Sequence, residues 1–118
     1  GLPPDEEVGA SRGALWIEVK VVAQFAAEGA NPGYGAALQG PIWRDFEKLA
    51  ADPLVEHAAQ LVILFAAGEA IAAHDLAATV DRAWSRGLRV DAAHVAHLAI
   101  GDRFGNACCT AALIRVLR

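Results

Sequence analysis

Apolar residues recur along this chain mostly at helical spacing, with one segment open to a second reading. In "ALWIEVKVVAQFAAEG", Ala14 to Gly29, Leu15, Ile17, Val19 and Val21 alternate as a half-buried strand would, while Leu15, Val19, Val22 and Ala26 form a helical stripe. The alanine-rich continuation and the stop at Gly29 favour helix. The cluster "GANPGYG", Gly29 to Gly35, reads as a loop. "GPIWRDFEKLAAD" follows as the clearest amphipathic helix. Pro41 suits its first position, and Ile42, Trp43, Phe46, Leu49 and Ala50 gather largely opposite Arg44, Asp45, Glu47 and Lys48.

Asp52 and Pro53 repeat the start signal and predict a long helix reaching about Ala73, apolar all round from Leu61 to Ala67 as a surrounded element would be. Asp75 caps the next, with Leu76, Ala77, Val80, Ala83 and Trp84 on one face and Gly87 as its stop. Asp91 caps a short helix to about Ile100, and Gly105 or Asn106 opens a last one to Arg118. No segment reads as a convincing strand. The expected fold is all-α: a single-domain bundle of about six helices over residues 11–118, arranged around a hydrophobic central helix. Residues 1–10, rich in proline, acid and glycine, form a flexible N-terminal segment.

Composition turns this pattern towards association. A chain of 118 residues is about one domain, and one that is 55% hydrophobic has more apolar surface than so small a body readily hides. A homo-oligomer, a dimer, is the natural remedy. The plainer account is that 27 alanines raise the count while adding little area. Net charge is −4, which lacks the basic footprint of nucleic-acid binding. Eight arginines against two lysines suggest a GC-rich coding sequence, as in many bacteria. The most apolar run, Leu61 to Ala73, is short and interrupted by Glu69, so no membrane span is expected. Without a secretory leader pattern, the cytoplasm is the expected location.

Candidate chemistry is sparse. His94, His97, Cys108 and Cys109 lie close in sequence, but adjacent cysteines on a helix point about 100° apart and cannot both face one ion. No metal is expected, and both thiols should be free. On a helical projection Cys109 joins the core stripe and is inert, while Cys108 lies towards Arg115 and would be the more reactive if exposed. His94 and His97 take the solvent edge. If the central helix turns Glu56 and Gln60 to water, its phase carries Glu69 inward, where a buried carboxylate beside His74 could act as acid or base. The plainer expectation is that Gly68 loosens the helix and Glu69 meets solvent or an arginine. Trp16, Trp43 and Trp84 are expected as core anchors, with Trp84 a possible pocket wall.

No phosphate loop, dinucleotide fingerprint or nucleophile motif is present, and no cofactor is implied. The leading expectation is a non-catalytic protein acting by protein–protein or self-association through an apolar helical face. The alternative is a hydrophobic-ligand-binding protein or helical enzyme whose pocket beside the central helix uses Glu69, His74 and Trp84.

Overall fold

The computed structural model describes residues 15–117; the flexible segment expected over residues 1–10 lies outside them. In chain order the elements are β1 (Leu15–Ala23), β2 (Phe25–Ala26), β3 (Gly29–Ala30), α1 (Tyr34–Ala37), α2 (Gly40–Ala51), β4 (His57–Ala66), α3 (Glu69–Ser85), β5 (His94–Ala99) and β6 (Cys108–Val116). The fold is therefore mixed α/β, which overturns the all-α helical bundle. Among the described residues, four strands form a sheet ordered β1-β4-β6-β5, and β2 and β3 make a separate small hairpin. β1 and β4 run parallel across a helical crossover, while β6 is antiparallel to both β4 and β5.

Two segments expected to be helical are so, because their apolar spacing is unambiguous. α2 carries proline in its first turn and buries Ile42, Phe46 and Leu49. The segment from Asp75 lies within α3, which buries Ala72, Leu76, Thr79, Val80 and Ala83 along one stripe. Asp75 does not cap a helix; α3 begins at Glu69 and runs through it.

The expected central helix is mostly a strand. Asp52 and Pro53 open a turn instead, in which the Asp52 carboxylate accepts the Leu54 N–H at 2.9 Å. The run "HAAQLVILFA" then becomes β4, paired on both edges and enriched in the β-branched and bulky residues that suit a sheet. An uninterrupted apolar run carries no period to tell strand from helix, and pairing with β1 and β6 decides it. The segments expected as helices at 14–29, 91–100 and 105–118 likewise give β1, β5 and β6 as their main elements.

The core fills one side of the sheet. Val22, Val62, Leu64, Ala112, Ile114 and Val116 project from the strands onto Ile42, Phe46 and Leu49 of α2 and Leu76 and Val80 of α3. Trp43 joins the two helices: its indole N–H donates to the Thr79 carbonyl at 3.3 Å, and the Arg86 guanidinium stacks 4.7 Å above its ring. At the sheet's far end Asn106 clasps the small hairpin, accepting the Phe25 N–H at 3.2 Å and donating to the Phe25 carbonyl at 2.9 Å.

Candidate functional site

Strand register sorts every sheet residue onto one of two faces, since side chains alternate along each strand. Val22 pairs with Leu64, which pairs with Thr110, on the helix-covered face, whereas Val21 pairs with Ile63, which pairs with Ala111, on the other. That other face carries Leu15, Ile17, Val19 and Val21 from β1, Leu61, Ile63 and Phe65 from β4, Cys109, Ala111 and Leu113 from β6, and Leu98 from β5. No described helix packs against it. Its central residues are half-buried by one another, and its margins are open: Val19 is 52% exposed, Val21 66% and Leu98 65%. The only formal charge among its strand positions is Arg115, which sits with His57 and His94 at one end.

The charged residues of β1 project the opposite way. Glu18 accepts from Lys48 at 2.7 Å and Lys20 approaches Asp45 at 3.4 Å, which pins α2 along the edge strand. The pairing to Glu18 holds the Lys48 ammonium above its ordinary value. Gln60 lies fully buried on the same side with neither amide atom hydrogen-bonded to the protein.

A small, mixed pocket opens where the N-terminus of α3 meets the ends of β5 and β6. It is an open depression of about 150 Å³ bordered by Gly68, Glu69, His97, Ala99, Ala107 and Cys108. The hairpin register sets His97 opposite Thr110 and Ala99 opposite Cys108. His97 Nδ1 consequently lies 2.7 Å from Thr110 Oγ1 and 3.9 Å from Cys108 Sγ, while its Nε2 lies 3.8 Å from a Glu69 carboxylate oxygen. Cys108 Sγ and Thr110 Oγ1 are 3.4 Å apart. The thiol and the carboxylate thus address opposite edges of one imidazole and cannot converge on one ion. Among the described residues no group of three or more His, Cys, Asp or Glu could hold a metal.

The loop beside this pocket is held by Asp102. One carboxylate oxygen accepts the N–H groups of Phe104, Gly105 and Asn106, and the other accepts from the Asn106 side chain at 2.7 Å. The Asn106 bond first, then the backbone donors, hold the carboxyl below its usual value. Gly105 takes a positive φ of 116° in this loop, and a Cβ there would press on the Phe25 ring.

The three residues expected to form a pocket are dispersed. Glu69 borders the His97 pocket with its side chain 71% exposed. His74 is an exposed residue early in α3, 3.2 Å from Asp75, and borders a different pocket of about 110 Å³. In that pocket Tyr34 donates to Asp75 at 2.6 Å, and burial followed by this contact drives its phenol well above its ordinary value. Trp84 lies at the far end of α3, roughly 22 Å along the helix from Glu69 by the rise per residue. Its indole donates to the Val90 carbonyl at 2.8 Å, and half of the residue is exposed. The cysteines exchange their expected places: Cys108 is buried on the helix side and Cys109 lies on the open face, both as free thiols.

Sequence reasoning missed His97 and Thr110 as partners of Cys108. The signal that finds them is the hairpin: two apolar runs flank "IGDRFGN", whose glycines, aspartate and asparagine mark a turn. No family model, curated protein or solved structure matches the chain.

Proposed function

We propose that this protein works by association through the open face of its sheet, and that the surface it meets is the same face of a second copy. The carrying observation is the unbroken apolar field from Val19 and Val21 through Ile63 and Phe65 to Leu98. With β1 nine residues long and four strands across, the field projects to roughly 500 Å² from strand rise and spacing. That is at the upper end of what a monomer leaves exposed, and its corrugated accessible area approaches the ~800 Å² per partner of a standard interface.

A second copy suits it because the field is flat, apolar and free of acidic side chains, so two identical faces meet without like charges at their centre. An apolar sheet face replaces the apolar helical face expected from the sequence, while the reason for association, surplus hydrophobic surface, is unchanged. Two free thiols accord with action in the cytoplasm. The alternative, an apolar-ligand pocket built from Glu69, His74 and Trp84, lacks a shared cavity.

Light scattering coupled to size-exclusion chromatography tests the proposal. The expected result is a dimer at micromolar concentration that Val19→Asp with Val21→Asp converts to a folded monomer. A wild-type monomer over the same range overturns the self-association, and a 1:1 complex with a different protein would move the proposal to that partner.

A further inference from the structure

Cys108 and His97 have no part in the open face. They sit on the helix side of the sheet, in a cavity bordered by the N-terminus of a 17-residue helix. Their arrangement has a direction. With the imidazole proton on Nε2, facing the Glu69 carboxylate, Nδ1 becomes an acceptor. Thr110 O–H then donates to Nδ1 at 2.7 Å, and its oxygen is left to accept the Cys108 S–H at 3.4 Å. Thiol, hydroxyl and imidazole form one hydrogen-bonded chain, and the Glu69 carboxylate lies 3.8 Å beyond it, within ion-pair reach but outside hydrogen-bonding distance. The opposite tautomer would turn a bare nitrogen towards a carboxylate.

We propose that Cys108 is a nucleophilic thiol whose proton passes through Thr110 to His97, and that the adjoining cavity takes a short-chain acyl donor. In the step, the Cys108 sulfur attacks the acyl carbonyl carbon and a C–S bond forms. The thiol proton moves to Thr110 Oγ1 while the Thr110 hydroxyl proton moves to His97 Nδ1. The carbon–oxygen bond to the leaving group breaks, and His97 returns the proton to the departing alkoxide, giving a thioester and an alcohol. Glu69 steadies the transient imidazolium.

Three features favour this role over simple packing. Gly68 caps α3 without a side-chain acceptor, and Gly68 and Glu69 border the cavity, so the helix end with its uncapped first-turn N–H groups adjoins the place where the carbonyl oxygen gains charge. Cys108 and His97 both border the cavity, and Thr110, fully buried behind them, touches both. The strand end bearing Cys108 is fixed by the bond from Ala107 N–H to the Ala66 carbonyl at 2.9 Å and by the Asp102–Asn106 loop. The pocket, about 150 Å³ and open to one side, has room for a short acyl group beside the thiol.

The probe is 4-nitrophenyl acetate, with nitrophenolate release followed by absorbance and the acetylated residue located by peptide mass spectrometry. Wild type is expected to release one equivalent in a burst, acetylate Cys108 at neutral pH at least about tenfold faster than N-acetylcysteine, and lose the burst in Cys108→Ala. His97→Gln should slow the burst by about a hundredfold, the scale of general-base assistance. Thr110→Val should slow it by about tenfold while far-UV circular dichroism is unchanged, and Glu69→Gln, at an exposed position that leaves folding intact, by severalfold. Acetylation of Cys108 no faster than the free thiol, a burst that survives Cys108→Ala, or equal rates in wild type and Glu69→Gln would each overturn the proposal. These outcomes are independent of oligomeric state, since Cys108 and the proposed interface lie on opposite faces.

Discussion

The two faces of the sheet are made from the same strands, alternate residue by alternate residue, yet they have opposite environments. On the covered side Val62, Leu64, Ile114 and Ala112 are wholly enclosed by α2 and α3; on the other, Leu61, Ile63 and Leu113 are only half-buried and their β1 neighbours lie open. Residue type does not distinguish them. At their centres both are mainly aliphatic, so hydrophobicity alone would bury both, and the placement of two helices on one side separates core from surface. A strand apolar on both sides implies burial on both sides. The open face therefore reads as an unfinished core.

The comparison can be broken most forcefully from the covered side. Phe46→Ala, which removes a ring from the helix–sheet contact, should destabilise by about 3–5 kcal/mol in a denaturant melt. Val21→Ala on the open face should change a monomer's stability by less than about 0.5 kcal/mol, because little of that side chain is enclosed. If both substitutions cost the same, the faces are equivalent and the fold as described is wrong.

A second effect should appear through concentration. If the open face pairs, wild-type Tm rises with protein concentration, and Val19→Asp with Val21→Asp removes that dependence while leaving a cooperative transition. Labelling of Cys109 on the open face should also accelerate in the double variant. Equal labelling rates at all concentrations would count against pairing.

A smaller change should come from Gln60, whose buried amide is unpaired among the covered aliphatics. Gln60→Met retains the volume and removes the orphaned polar atoms, so an increase of about 1–2 kcal/mol is expected by chemical denaturation. A loss of stability would mean that the amide has a partner or a task.

The mildest effect belongs to the rim, where the Asp102 loop joins the ends of the strands. Its carboxyl is held below the ordinary 3.8, so the folded state favours the charged form. The stabilisation is complete above 3.8 and is lost as pH falls through the lower folded value. Amide exchange at Phe104, Gly105 and Asn106 should therefore quicken below pH 3.8, after correction for intrinsic rates, and Asp102→Asn should abolish that acid response.

How much of this was legible depended on whether a segment carried a period. α2 was readable because Ile42, Phe46 and Leu49 repeat at helical spacing against a charged side. β1 showed its alternation in Leu15, Ile17, Val19 and Val21, but the alanines that followed outweighed it; in the structure they belong to a strand end and a small turn. β4 had no period to read. Reading β4 as helix also underlies the alternative in which Glu56 and Gln60 face water and Glu69 turns inward; in the strand Gln60 is buried and Glu69 is mostly exposed. The plainer expectation has Gly68 loosening the helix and Glu69 meeting solvent or an arginine; Glu69 is exposed, but Gly68 is the cap from which α3 begins. Cys108 and Cys109 take the opposite sides from those of a helix for the same reason, since neighbours on a strand alternate at 180° rather than turning by 100°. The meeting of His97 with Thr110 and Cys108 depends on the register of one hairpin, which no helical reading could supply.

β1 ends the sheet: among the described residues no strand pairs with its outer side, although the Ala23 carbonyl at its end accepts from the Asn31 amide at 2.9 Å. It has nine residues, no proline, and both of its charged side chains drawn away to α2, so the usual devices that keep one rim from templating another are missing. Among the described residues, stacking two faces leaves most of that row of amides and carbonyls without a strand partner on each copy. Concentrated or partly denatured samples should therefore grow by lateral strand addition into β-rich fibrils, with Leu15–Ala23 as the segment that seeds them.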